Sequence, residues 1–249
     1  MSDNNRWTIL LDLDDTLIAS THLYHAPSIR CGALITAALG TRSVHPADLF
    51  QMHLEIDMAM VRTHGYGLER YPQSWVRTYE KLARQLKLPV DRKVCAKLVA
   101  TAKTFARGPY VPIEGAKEAL VELQREEHSL HLITAGDKGL QEKKVRMSGL
   151  SQLLDSVNVT GPDKKPVMAK ISADRRERTV MVGDSLKSDI KPAIELGILA
   201  VHVPSRTWAY ANEELDRRRY RTIKSVRELP ALIRKLEGRR SRKSAARSA

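Results

Sequence analysis

The chain has 249 residues, 42% hydrophobic and 29% charged, enough to bury a real core and close to the size at which one domain becomes two. No apolar run approaches the roughly 18 residues of a membrane span, and the first residues lack the basic-then-apolar pattern of a signal peptide. Two distant cysteines without metal-ligand spacing read as thiols in a reducing compartment, so a cytoplasmic protein is expected.

The net charge is +13. Five of the basic residues, Arg239, Arg240, Arg242, Lys243 and Arg247, stand near the C-terminus with no acid among them; without them 37 basic residues still face 29 acidic ones. The body of the chain is therefore basic as well, which favours anionic substrates or surfaces.

Trp7 to Leu11 reads as a buried strand that ends in Asp12, Asp14 and Asp15. Side chains of a strand alternate, so Asp12 and Asp14 point the same way and need a cation between them. A hard divalent ion such as Mg²⁺ suits such oxygen donors. A solvated turn with Asp15 or Thr16 as a helix cap is the plainer alternative.

From about Pro27 to Arg107 the patterning is helical. One stripe is Ile29, Ala33, Ile35-Thr36 and Leu39, stopped at Gly40; another is Trp75, Val76, Tyr79, Leu82, Ala83 and Leu86; a third is Val94, Leu98, Thr101-Ala102 and Phe105. Between the first two, His64-Gly65-Tyr66-Gly67-Leu68-Glu69-Arg70 is a glycine-bearing turn, with Tyr66 and Arg70 as candidate substrate contacts. His22 and His25 read equally well as surface histidines.

After Val111 strands and helices alternate, which implies a parallel sheet with right-handed crossovers. Strands are expected at Leu130–Thr134, Ser156–Thr160, Thr179–Val182 and Leu199–Val203, with Tyr220–Ile223 as a possible edge strand and Ser225–Leu236 as a closing helix. Thr134 ends a strand and is followed by Ala135-Gly136, where backbone N–H groups can approach a phosphate. Lys164 and Lys165 precede Pro166 at a helix start, where an anion is favoured. Gly183-Asp184-Ser185-Leu186-Lys187-Ser188-Asp189 puts two more carboxylates after an apolar strand.

Together these segments resemble the motifs of the haloacid dehalogenase (HAD) superfamily. Asp12-Leu13-Asp14-Asp15-Thr16 matches its first motif, Thr134 its second, a lysine its third, and Gly183-Asp184 with Asp189 its fourth. Thr134-Ala135-Gly136-Asp137 with Gln141 and Lys144, and Met147-Ser148-Gly149-Leu150, are similar to a phosphatase branch. The resemblance implies a Rossmann-like α/β core with strand order 3-2-1-4-5, formed by residues 1–19 and 109–237. It also implies an inserted helical cap, residues 20–108. Residues 238–249 read as a disordered basic tail, suited to weak, nonspecific contact with polyanions.

The implied activity is Mg²⁺-dependent hydrolysis of a small phosphorylated metabolite. Asp12 would be the nucleophile, Asp14 the general acid and base, and Thr134 and a lysine the holders of the phosphoryl group. The metal ligands would be Asp12, Asp14 (through its carbonyl), Asp184 and Asp189. In similar sequences the lysine lies two residues before a helix-opening proline, which favours Lys164 over Lys165. A phosphomutase, a haloacid dehalogenase and an idle binding module are the alternatives; Asp14 and Asp184 argue against the last two.

Overall fold

The computed structural model describes residues 6–205 and 213–245, with side chains as far as Gly238. The chain forms two compact units. One comprises the chain up to Ala19, Tyr110–Thr134, and the chain from Glu142 on; the other comprises Ser20–Pro109 and Ala135–Gln141. The first begins with β1 (Thr8–Leu11), whose four residues are all buried. A strand covered on both faces reads as a continuous apolar run rather than an alternating one, as Ile9-Leu10-Leu11 does.

The helical unit holds α1 (Thr21–Leu39), α2 (Pro46–His64), α3 (Arg70–Gln85) and α4 (Arg92–Ala102). Helix α1 starts before Pro27 and buries Leu23, Pro27, Cys31, Ile35 and Leu39, each four residues on from the last, together with Gly32. Ile29, expected in that stripe, is 66% exposed, and Ala33 and Thr36 are exposed too. Gly40 ends the helix at φ +58, a conformation that glycine adopts without strain. His22 and His25 are exposed. Helices α3 and α4 bury Trp75, Tyr79, Leu82 and Ala83, and Leu98 and Ala102, as their stripes predict.

The α/β unit continues with α5 (Ala116–Arg125) and β2 (Ser129–Ala135), and α6 (Lys138–Met147) follows the glycine loop. Then come β3 (Ser156–Thr160), α7 (Lys165–Ser172), β4 (Thr179–Gly183), α8 (Lys191–Leu196), β5 (Leu199–His202), β6 (Arg221–Thr222) and α9 (Leu229–Ala245). The sheet runs β3-β2-β1-β4-β5-β6. Leu11 of β1 stands beside Leu132 on one side and Val182 on the other, so β1 is central and the C-terminal ends of β2, β1 and β4 share one edge. The edge strand expected at Tyr220–Ile223 is β6, parallel to β5.

Helix α9 corrects one expectation. Its backbone stays helical from Gly238 to Ala245, inside the stretch assigned to a disordered tail; residues 246–249 lie outside the described residues. Alanine, arginine and lysine favour helix, and a helix already formed extends cheaply. No described helix is long and apolar enough to cross a membrane.

Candidate active site

Beyond Leu11 the chain leaves the sheet abruptly. The Asp12 amide donates to the Val182 carbonyl at 2.9 Å, and Asp15 takes φ +60 as the Leu17 and Ile18 amides turn back to the Leu13 carbonyl. This tight turn carries Thr16 under Asp12. The Thr16 hydroxyl donates to Asp12 Oδ2 and accepts from the Asp184 amide, both at 3.0 Å. One hydroxyl thus ties the end of β1 to the end of β4.

Asp184 and Asp189 come from the chain that leaves β4. Gly183 is required there, because a Cβ at that position would overlap the Asp189 carboxylate. Asp189, fully buried in a wide π-type turn (Leu186–Ile190), accepts from the Ser185 amide at 3.1 Å. On its other side Asp184 is held by the end of β5. Ser205 donates to its Oδ2, and His202 Nε2–H donates to its carbonyl, each at 2.9 Å.

One lysine enters this group. Lys164 Nζ lies 2.5 Å from Asp12 Oδ1 and 2.7 Å from Asp189 Oδ1, and its side chain is 3% exposed. One carboxylate oxygen from each of Asp12, Asp184 and Asp189 lies within 4.8 Å of the other two. Burial pushes the Asp12 carboxyl up to about 7; Lys164 opposes this, and Asp189 and Asp14 add to it. Asp184 is pushed up to about 9, first by burial and then by Asp12 and Asp189. Burial disfavours the charge on Lys164, but the two carboxylates outweigh it and raise its pKa. Were all three ionised, one ammonium would leave two negative charges unmatched in a poorly solvated place, which is why the Asp12 and Asp184 carboxyls resist ionising. Hard oxygen donors with that deficit fit a divalent cation such as Mg²⁺.

Asp14 faces differently from Asp12. Lys144 Nζ on α6 donates to both its oxygens, at 2.7 and 2.9 Å, so the Asp14 side chain stands apart from the three-carboxylate group. Thr134 is fully buried at the end of β2, on the sheet edge that carries Asp12 and Asp184.

A sequence model of the haloacid dehalogenase-like hydrolases matches residues 8–197. The chain belongs to that family. Among curated relatives, this hydrolase is 27% identical over 241 residues to a glyceraldehyde 3-phosphate phosphatase of Pyrococcus furiosus, a match that covers 92% of each chain. An enzyme of the same name from Methanocaldococcus jannaschii is 26% identical over 92% of this chain and 97% of its own. Among solved structures, a haloacid dehalogenase-like family hydrolase from Xanthomonas campestris superimposes with a TM-score of 0.76 at 25% identity, covering 96% and 95% of the two chains.

Not every expected site residue of the hydrolase falls in this group. Lys165 is not the buried lysine: its side chain is 42% exposed and its ammonium pairs with Glu195 at 2.6 Å. Lys164 ends up inside because it is the cap position before α7, one residue nearer the sheet. Arg70 is likewise no free substrate clamp, being buried within the helical unit in an ion pair with Asp57. Tyr66 lies half-buried on the turn between α2 and α3. Ala135 and Gly136 group with the helical unit, and Gln141 packs so close to Gly136 that any side chain there would displace it.

Four residues of the site went unassigned in the sequence: Thr16, Lys144, His202 and Ser205. Thr16 lay inside the first motif, and Lys144 inside the phosphatase-like segment, without a role. His202 ends β5 and Ser205 follows it at the same sheet edge, which is the signal that would have found them.

Proposed function

We propose that this hydrolase cleaves a phosphate monoester of a small metabolite, with Mg²⁺, through a phosphoryl group carried on Asp12. The observation that carries this reading is the charge deficit at Asp12, Asp184 and Asp189, of which Lys164 offsets only part. Asp12, Asp184 and the Asp14 carbonyl would hold the ion, with Asp189 acting on its water shell. Bound there, Mg²⁺ supplies charge neutralisation for the phosphoryl oxygens.

The side chains do the rest. An Asp12 oxygen attacks phosphorus while the bond to the leaving oxygen breaks, and Asp14 gives that oxygen its proton. Asp14 then takes a proton from the water that attacks phosphorus, and the bond to Asp12 breaks. Thr16 and Lys164 fix the attacking carboxylate through one oxygen each. Lys164 and Thr134 meet the charge on the phosphoryl group. The curated relatives are named for a three-carbon aldose phosphate, which makes such a compound the first substrate to try. Within the helical unit, Tyr66 is the proposed substrate contact. A cytoplasmic location and weak polyanion contact through the basic C-terminus complete the proposal.

The test is phosphate release from a panel of small phosphate esters, with and without Mg²⁺. Wild type should turn over at least one of them only with the metal, and Asp12→Asn should lose at least about 10⁴-fold while melting as wild type does. Substantial hydrolysis by Asp12→Asn would rule out Asp12 as the nucleophile.

A further inference from the structure

Lys144 and Asp14 are 130 residues apart, yet the ammonium donates to both carboxylate oxygens. The pair is lopsided: the lysine side chain is 3% exposed and the aspartate 29%. Stability alone is a poor reason for the lysine. Burying an ammonium costs several kcal/mol, and an apolar side chain of similar length serves such a place as well or better. What the lysine does provide is direction. A carboxylate at a strand exit has several orientations open to it, and two charge-assisted bonds from a fixed donor leave one. Tyr110, itself buried, lies near enough for its hydroxyl to feel the charges of both partners.

We propose that Lys144 is a positioning residue, aiming the Asp14 carboxyl at the leaving oxygen and then at the attacking water; this rests on the reading of Asp14 as proton donor and acceptor. Lys144 makes and breaks no bond itself. In the first half-reaction Asp12 bonds to phosphorus, the ester bond breaks and the Asp14 proton passes to the leaving oxygen. In the second, water bonds to phosphorus, its proton passes to Asp14 and the bond to Asp12 breaks. Both transfers need Asp14 in reach, and a misplaced group costs up to about 100-fold.

The experiment compares wild type, Lys144→Met, Lys144→Gln and Asp14→Asn on p-nitrophenyl phosphate and on glycerol phosphate. p-Nitrophenolate leaves without a proton, whereas an alkoxide does not. For Lys144→Met on the aryl ester, the first turnover should stay within about threefold of wild type while the steady state falls about 10- to 100-fold. A burst of p-nitrophenolate approaching one per enzyme should then appear. On glycerol phosphate kcat should fall as far with no burst and with KM within about twofold. Lys144→Gln, which keeps a hydrogen-bond donor, should recover part of the loss. Adding Lys144→Met to Asp14→Asn should slow the enzyme no further.

Loss of burst and steady state together would mean a structural role and would overturn the proposal. So would a raised KM at unchanged kcat, or a steady state within twofold of wild type. If wild type hydrolyses neither ester, the phosphatase reading itself fails and this inference falls with it.

Discussion

Both units bury charge, and they do so in opposite ways. In the helical unit Asp57 meets Arg70, and His53 stacks on Trp75 at 3.6 Å while its Nε2 lies 3.0 Å from the Ser74 hydroxyl. That hydroxyl donates to the Tyr71 carbonyl, so His53 Nε2 must be the donor to it, while burial and Arg70 disfavour a charge on the ring. One negative charge meets one positive charge, and the ring adds none. In the α/β unit three buried carboxylates share one lysine. The first arrangement is closed on itself and gives the helices a fixed packing. The second leaves carboxylates unmatched, the deficit that the proposed divalent cation would fill.

The sharpest way to break this contrast is to open the closed pair. Arg70→Met leaves Asp57 buried without its partner and should cost about 3–5 kcal/mol in denaturant unfolding. Replacing both, as Arg70→Met with Asp57→Leu, should recover most of that loss. A double variant as unstable as the single one would show that the pair is not self-contained. In the open cluster, Lys164→Met should lower kcat by about 10²- to 10³-fold, the usual cost of losing a charged donor in an active site.

Acid should also act on the closed cluster. Burial, and then Arg70, hold His53 down to about 3 from its ordinary 6.5. The folded state therefore refuses a proton that the unfolded chain accepts. Its contribution is complete above pH 6.5 and is lost as pH falls from there toward 3, by up to about 1.4 kcal/mol per pH unit. His53→Gln should flatten that part of the wild-type stability curve; parallel curves for the two proteins would contradict the account. The smallest effect belongs to Lys165. Its exposed pair with Glu195 is screened by solvent and lies outside the carboxylate cluster, so Lys165→Met should leave turnover unchanged.

The sheet was legible because its strands are short apolar runs with signals at both ends, and the site because its carboxylates follow those runs at fixed spacing. Helix α2 was not legible as a stripe. Its buried face is Leu49, His53, Asp57, Met60 and Val61, so two polar residues interrupt an otherwise regular helical spacing. An apolar pattern cannot show a helix whose inner face carries its own hydrogen bonds and ion pair. The same blindness turned Arg70 into a substrate contact: a lone arginine after a glycine turn reads as exposed until its partner, 13 residues earlier, is found. Lys144 posed the opposite difficulty. Its motif was visible, but only the folded chain reveals that it reaches Asp14.

The central claim is that the open cluster binds a divalent cation and works through it. Calorimetric titration of Mg²⁺ into wild type and into Asp184→Asn, with phosphate release followed on the same samples, tests it most directly. The account predicts one ion per wild-type chain, turnover that rises with its occupancy, and loss of both in Asp184→Asn at the same Mg²⁺ concentrations. Full turnover in excess chelator, or undiminished binding by Asp184→Asn, would contradict it.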